Sequence, residues 1–223
     1  EYISMYSAPD RVTLPRNSDG VFTEIAGTYD LINKILSFGQ EQNWRRRAIA
    51  KLPPGRLLDL GSGTGAALPV LGEFEVVGLD PEAAMLSISP IRQKVVGYGE
   101  RLPFPDGSFD AVFSAYVFRN LTSVDETLAE IGRVLRPGGK AAIVDLGRPR
   151  NQWLARIHRL GSALVLPTIG TLVGSRDSYS YLHRSLDKLA PPEELYADGP
   201  LAVESVWRMG VFGFVYGAIL VNE

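Results

Sequence analysis

Three glycines, Gly61, Gly63 and Gly65, alternate directly after the apolar residues Leu57, Leu58 and Leu60, with Asp59 inside that apolar run and Asp80 further along. Glycine lets the backbone turn through angles closed to residues with a Cβ and lets a ligand approach the chain closely. Carboxylates accept strong hydrogen bonds from ammonium and hydroxyl groups. Together these residue types make a binding loop for a nucleotide-like ligand. The chain has no cysteine and only two histidines, His158 and His183. That excludes disulfides and thiolate chemistry, and it leaves metal-free chemistry as the expectation.

These residues need elements to position them. The run Arg56 to Leu60 reads as a buried strand that turns at the glycines into a helix reaching about Leu71. Glu75 to Leu79, Lys94 to Tyr98, Asp110 to Ala115 and Ala141 to Leu146 read as further strands, separated by helices over Pro81 to Ser87 and Val124 to Leu135. Such alternation implies a doubly wound parallel sheet, with ligands bound beyond the C-terminal strand ends. Gly61 and Asp80 fall at such ends. Ala202 to Met209 and Phe214 to Val221, divided at Gly210, suit an antiparallel hairpin. Phe22 to Leu36 has helical spacing, and a second helix carries Trp44, Ile49 and Leu52. Glu1 to Gly20 reads as a loose arm, preceded in expectation by a further N-terminal piece because the sequence opens without methionine, and residues 150–190 read as a helical insertion or lid. Residues 21–223 are thus one expected domain.

With 223 residues, 45% of them hydrophobic, the chain can bury one core. A net charge of −2 argues against a general nucleic-acid binder. Arg45 to Arg47 reads as a solvated helix face. No signal-peptide pattern occurs, and no apolar stretch approaches the about 20 residues needed to span a bilayer.

The loop itself leaves two ligands open. Gly61, Gly63 and Ala66 fit the dinucleotide pattern, with Asp80 as the ribose acid. Gly61, Gly63 and Gly65 preceded by Asp59 fit the S-adenosylmethionine pattern equally well. Residues elsewhere decide. Leu102-Pro103-Phe104 before Phe109-Asp110, and Arg133 to Gly139 (RVLRPGG), are spaced as in class I S-adenosylmethionine-dependent methyltransferases, which the chain resembles. More narrowly it resembles the ubiquinone/menaquinone biosynthesis C-methyltransferase family, through FTEIAGTYDLINKILSFGQEQNWRR from Phe22, FRNL from Phe118 and LPTIGTLVGSRDSYSYLHRS from Leu166. The sequence departs from the family pattern at Tyr98-Gly99, where an Asp or Asn followed by Ala is usual. It departs again at Val117-Phe118 in place of Gly-Leu, at Leu68 in place of a polar residue, and at Leu201-Ala202 in place of Gly-Phe.

The resemblance implies an α/β, Rossmann-like fold with a mostly parallel seven-stranded sheet, an antiparallel last strand and helices on both faces. It implies S-adenosyl-L-methionine as methyl donor, held by Tyr29, Asp59, Gly61, Gly63, Thr64, Gly65, Asp80, Pro81, Met85, Tyr98, Gly99 and Glu100. It also implies methyl transfer to a ring carbon of a lipid-soluble quinol, with Arg119, Asn120 and Tyr181 as catalytic residues. Tyr179 and Ser185 are expected along the ring pocket, while His183, offset by two from Tyr181, is expected to turn away. The apolar stretch Leu160 to Val173 beside Arg156 and Arg159 is expected to admit the lipid tail at the cytoplasmic face of a membrane. A homodimer is the expected assembly.

Overall fold

The computed structural model describes residues 39–147, 189–210 and 213–223, together with Trp153 and Arg156. The expected N-terminal arm, Tyr29 and the first helix, most of the 150–190 insertion, and Tyr179, Tyr181, His183 and Ser185 lie outside the described residues.

Seven strands form one sheet in the order β3-β2-β1-β4-β5-β7-β6. They are β1 (Arg56–Leu60), β2 (Glu75–Asp80), β3 (Gln93–Val96), β4 (Phe109–Ala115), β5 (Leu135–Leu146), β6 (Ala202–Met209) and β7 (Val215–Val221). β1 to β5 pair in parallel, and β7 runs antiparallel between β5 and β6. The reversal of strand order beside β1 creates a crevice at the C-terminal ends of β1 and β4, where such sheets bind ligands.

Both faces are apolar because the central strands are buried on both sides. Leu58 and Leu60 point to a core shared with Leu128, Ile131 and Val134 of a helix α3 (Val124–Val134). Leu57 points the other way, to Ala48 and Ile49 of α1 (Glu41–Ile49). Alternation along a strand therefore turns Asp59 toward α1. α3 starts where Ser123 accepts a hydrogen bond from the Glu126 N–H, with Asp125 and Glu126 in its positively polarised first turn. Two short helices, α2 (Ala83–Ile88) and α4 (Pro192–Leu195), complete the described set.

Three expectations are corrected. No α-helix follows the glycine loop: only a single 3-10 turn forms at Leu68–Val70. Pro69 sits inside it, lacking the N–H that a continuing helix needs. The Pro137-Gly138-Gly139 segment does not merely precede the fifth strand but lies within β5, where the Gly138 N–H donates to Asn222 and the Asn222 N–H donates to Gly139. Arg45 is not part of a solvated face: it is 5% exposed, whereas Arg46 and Arg47 are exposed. The period of the helix explains this, because Arg45 shares the inward stripe with Ala48 and Ile49. No helix among the described residues is long and apolar enough to cross a membrane.

Candidate active site

The glycine loop is shaped by positive φ at each expected position, +72° at Gly61, +50° at Gly63 and +80° at Gly65. It is also crowded on its protein side. A Cβ on Gly61 would fall 2.2 Å from Val117 Cγ2, and one on Gly65 would fall 2.6 Å from Ser89 Oγ. A Cβ on Gly63 would meet only Met85 Sδ at 3.6 Å and Asp80 Oδ2 at 3.9 Å, which are ordinary contacts. Gly61 and Gly65 are thus needed for packing, and Gly63 keeps the open side of the loop clear.

Asp80 ties the two neighbouring strand ends together. Its Oδ2 accepts from the Gly63 N–H at 2.8 Å and its Oδ1 from the Glu82 N–H at 2.9 Å. The N–H groups of Gly61 and Ser62 both donate to the Leu79 carbonyl, at 2.8 and 3.0 Å. A carboxylate has about four lone-pair positions, so the two backbone bonds leave room for two ribose hydroxyls. Met85 is buried against the loop, Pro81 is exposed, and Thr64 is half-buried.

Asp59 lies deeper, 2% exposed, with Oδ2 unpartnered among the described residues. Burial pushes its carboxyl up to about 7, the Arg45 charge pulls against that rise, and the Asp80 charge adds to it. Burial also raises Asp80, opposed by the N–H groups of Glu82 and Gly63. A buried acid without a partner is costly to ionise, and a ligand ammonium is the group that would relieve it. The loop, the orphaned carboxyl and the ribose acid fit the amino-acid and ribose parts of S-adenosyl-L-methionine.

Both shifts carry the same sign for stability. In the unfolded chain these acids ionise near their ordinary value of 3.8. The folded protein keeps Asp59 protonated until about pH 7, so stability falls between these values by roughly 1 kcal/mol per pH unit and levels off above. Asp110, lowered chiefly by the Arg56 N–H, and Glu130, lowered chiefly by Arg133, act in reverse, and their contribution is lost in acid. The ligand-free protein is expected to melt at a higher temperature at pH 5.5 than at pH 8. Asp59→Asn removes most of that difference in a thermal melt, and an unchanged difference would disprove the assignment.

The segment beyond β3, Tyr98 to Glu100, is fastened to the start of α3. Tyr98 is 43% exposed beside the crevice, its carbonyl accepting from the Arg101 N–H. Gly99 is buried against α3, where a Cβ would lie 3.0 Å from Thr127 Cγ2. Glu100 Oε1 accepts from the N–H groups of Thr122 and Ser123, at 2.7 and 3.3 Å. Gly99 and Glu100 therefore have structural work fastening this turn to the start of α3. Of the three, Tyr98 has the exposed ring that could stack on a base.

Arg119 and Asn120 occupy a 3-10 turn, Phe118–Asn120, after β4. Arg119 is 6% exposed, and its Nη1 donates to Asp145 Oδ1 at 2.7 Å. Asp145, fully buried at the end of β5, also accepts from the Leu146 N–H at 2.7 Å and, through Oδ2, from the Phe118 N–H at 2.8 Å. One carboxylate thus fixes the turn's backbone and its cation. The Asn120 side chain donates to the Tyr116 carbonyl at 3.4 Å. Tyr116 itself has φ of +65°, an uncommon conformation for a residue with a side chain. Across the sheet Asp145 pairs with Tyr216, whose hydroxyl meets that of Tyr196 at 2.9 Å. Burial raises both phenols well above their usual range, so they remain neutral.

Sequence reading missed Asp145 and the burial of Arg45. Asp145 carries the signal that exposed Asp59 and Asp80, an acid at the end of an apolar strand.

Comparisons with known proteins agree with this geometry. Residues 12–197 match the sequence model of the ubiE/COQ5 methyltransferase family. A demethylmenaquinone methyltransferase from Thermus thermophilus is 39% identical, covering 91% of this chain and 99% of the relative. The ubiquinone/menaquinone biosynthesis C-methyltransferase UbiE of Geobacter sulfurreducens is 34% identical over 87% of this chain and 82% of its own. Among solved structures, a SAM-dependent methyltransferase from Thermotoga maritima superposes with a TM-score of 0.67 at 18% identity, covering 91% of this chain and 98% of that one. The seven-stranded sheet is the Rossmann-like methyltransferase sheet, and the chain is an S-adenosylmethionine-dependent methyltransferase that belongs to the ubiE/COQ5 family.

Proposed function

We propose that the protein methylates a ring carbon of a polyprenylated quinol, of the demethylmenaquinol or 2-methoxy-6-polyprenyl-benzoquinol type, in respiratory quinone biosynthesis. The observation that carries this reading is the Arg119–Asp145 pair, set after β4, the strand paired in parallel with β1, whose end carries the glycine loop. The bound donor supplies an electrophilic methyl group on sulfonium sulfur. Asp59 and Asp80 hold its ammonium and ribose, and Tyr98 stacks on its base. The ion pair is neutral overall, so Arg119 offers an oriented dipole, fixed before the substrate arrives. It steadies a quinol oxygen as that oxygen loses its proton to water. The electron density released makes the adjacent ring carbon nucleophilic. A carbon–carbon bond forms as the carbon–sulfur bond breaks, and the proton on the methylated carbon leaves to water, restoring the aromatic ring. Asn120 and Tyr181 are assigned to orienting the ring. The tail of such a substrate dissolves in lipid, so the enzyme works against the cytoplasmic surface of a membrane.

The experiment is a competition. Protein is incubated with deuteromethyl-labelled donor and equal amounts of short-tailed demethylnaphthoquinol and methoxybenzoquinol, and products are read by mass spectrometry. Label on the ring carbon of either quinol is expected. Label on oxygen, or on neither quinol while the donor binds, would overturn the reading.

A further inference from the structure

The described residues bury two cations, Arg45 and Arg119. Arg119 is committed to Asp145. Arg45 has no ion-pair partner among the described residues, and its buried Nε has no hydrogen-bond partner there. An isolated guanidinium out of water is expensive to maintain, so its place needs a reason. The Tyr116 ring accounts for part of it, lying 5.6 Å from the guanidinium carbon. A ring face satisfies the charge but none of the N–H donors.

Position supplies the rest. Arg45 is on α1, the helix that covers the face of the sheet to which Asp59 points. The Arg45 charge is felt at Asp59, yet the two make no ion pair within 4.0 Å. Three residues before Arg45 on the same helix, Gln42 donates to the Ala66 carbonyl at 2.9 Å, tying α1 to the chain just past the glycine loop. Ala66, Ala67 and Leu68, which follow the loop, carry no polar side chain. The mouth of the loop is therefore flanked by one buried carboxyl with a free oxygen and one buried guanidinium with a free donor. They stand near each other without being joined.

We propose that Arg45 binds the carboxylate of the methyl donor's amino-acid portion while Asp59 binds its ammonium, so that the two residues clamp a zwitterion. The clamp explains why the two buried charges are held apart: each is completed by the opposite end of one ligand. Guanidinium suits the task because its planar fork matches a carboxylate, and the Tyr116 ring, 5.6 Å from the guanidinium carbon, helps hold the group in place. The inference rests on the glycine loop being the donor site, and its test separates the two ideas.

The test measures binding by calorimetry for S-adenosylhomocysteine and for its decarboxylated analogue, in the wild type and in Arg45→Met. In the wild type the intact compound is expected to bind tighter by roughly tenfold to a hundredfold, as expected for a charge-assisted hydrogen bond. In Arg45→Met that preference falls below about threefold, with the analogue's own affinity nearly unchanged, and Arg45→Lys keeps part of it. Equal binding of the two compounds by the wild type overturns the proposal, and this comparison needs no variant to fold. Equal weakening of both by Arg45→Met overturns it as well. Failure of S-adenosylhomocysteine to bind the wild type would instead refute the donor site itself.

Discussion

Replacing Asp145 with Ala is expected to cost about 3–5 kcal/mol, the usual effect of removing one partner of a buried ion pair. Whole domains are stable by only about 5–15 kcal/mol, so the variant should unfold at a much lower denaturant concentration. The size follows from what Asp145 holds: a buried guanidinium and the N–H groups of Phe118 and Leu146 all lose their acceptor together. Arg119→Met is expected to behave otherwise. The carboxylate left behind keeps two backbone donors, so stability falls less, donor binding persists and methyl transfer is lost. Combining Arg119→Met with Asp145→Leu should recover much of the stability of Asp145→Ala, because apolar replacement of both buried charges removes their desolvation cost. It should recover no transfer. Denaturation midpoints and turnover measured on the same three variants check this, and transfer by the double variant would show that the pair is only structural.

The second large effect separates two glycines of one loop. Gly61→Ala needs a positive φ that costs an L-residue roughly 1–2 kcal/mol and places a methyl against Val117, for which overpacking adds about 1–3 kcal/mol. Gly63→Ala incurs only the φ cost, since its new methyl touches Met85 and Asp80 at ordinary distances. That methyl occupies the side from which the donor approaches. Gly61→Ala should therefore lower the melting temperature sharply, with partial rescue by Val117→Ala. Gly63→Ala should melt only several degrees lower, from the φ cost alone, and bind S-adenosylhomocysteine at least about tenfold more weakly. Melting curves and calorimetry of the pair decide it, and a Gly63→Ala protein with normal affinity would remove the loop from the donor site.

How far the sequence foretold this arrangement depends on the range of the interactions involved. The strands, the glycine turn and Asp80 are legible because their signals are local: an apolar run, a forced turn, an acid at the strand's end. The 3-10 turn at Leu68–Val70 reads as helix in the sequence because the apolar residues keep helical spacing, whereas Pro69 ends the structure after one turn. Arg45 was hidden in a run of three arginines, where composition suggests solvent and only the helix's packing shows which of them turns inward. Arg119 was found by its motif, but its partner is 26 residues away, brought beside it by the parallel pairing of β4 with β5. The place of Gly99 and Glu100 after the third strand is legible in the sequence, but their contacts are not. Contacts with Thr122, Ser123 and Thr127, distant in sequence, give them their structural work.

At the centre of these predictions stands the crevice built from Asp59, the glycine loop and Asp80, proposed to hold S-adenosyl-L-methionine. Titrating S-adenosylhomocysteine into the protein at pH 6 and pH 8 tests it most directly. One site is predicted, binding tighter at pH 8, with protons released at pH 6 because Asp59 must ionise to meet the ammonium. Binding that ignores pH, or a nicotinamide dinucleotide taking the site in its place, would contradict the account.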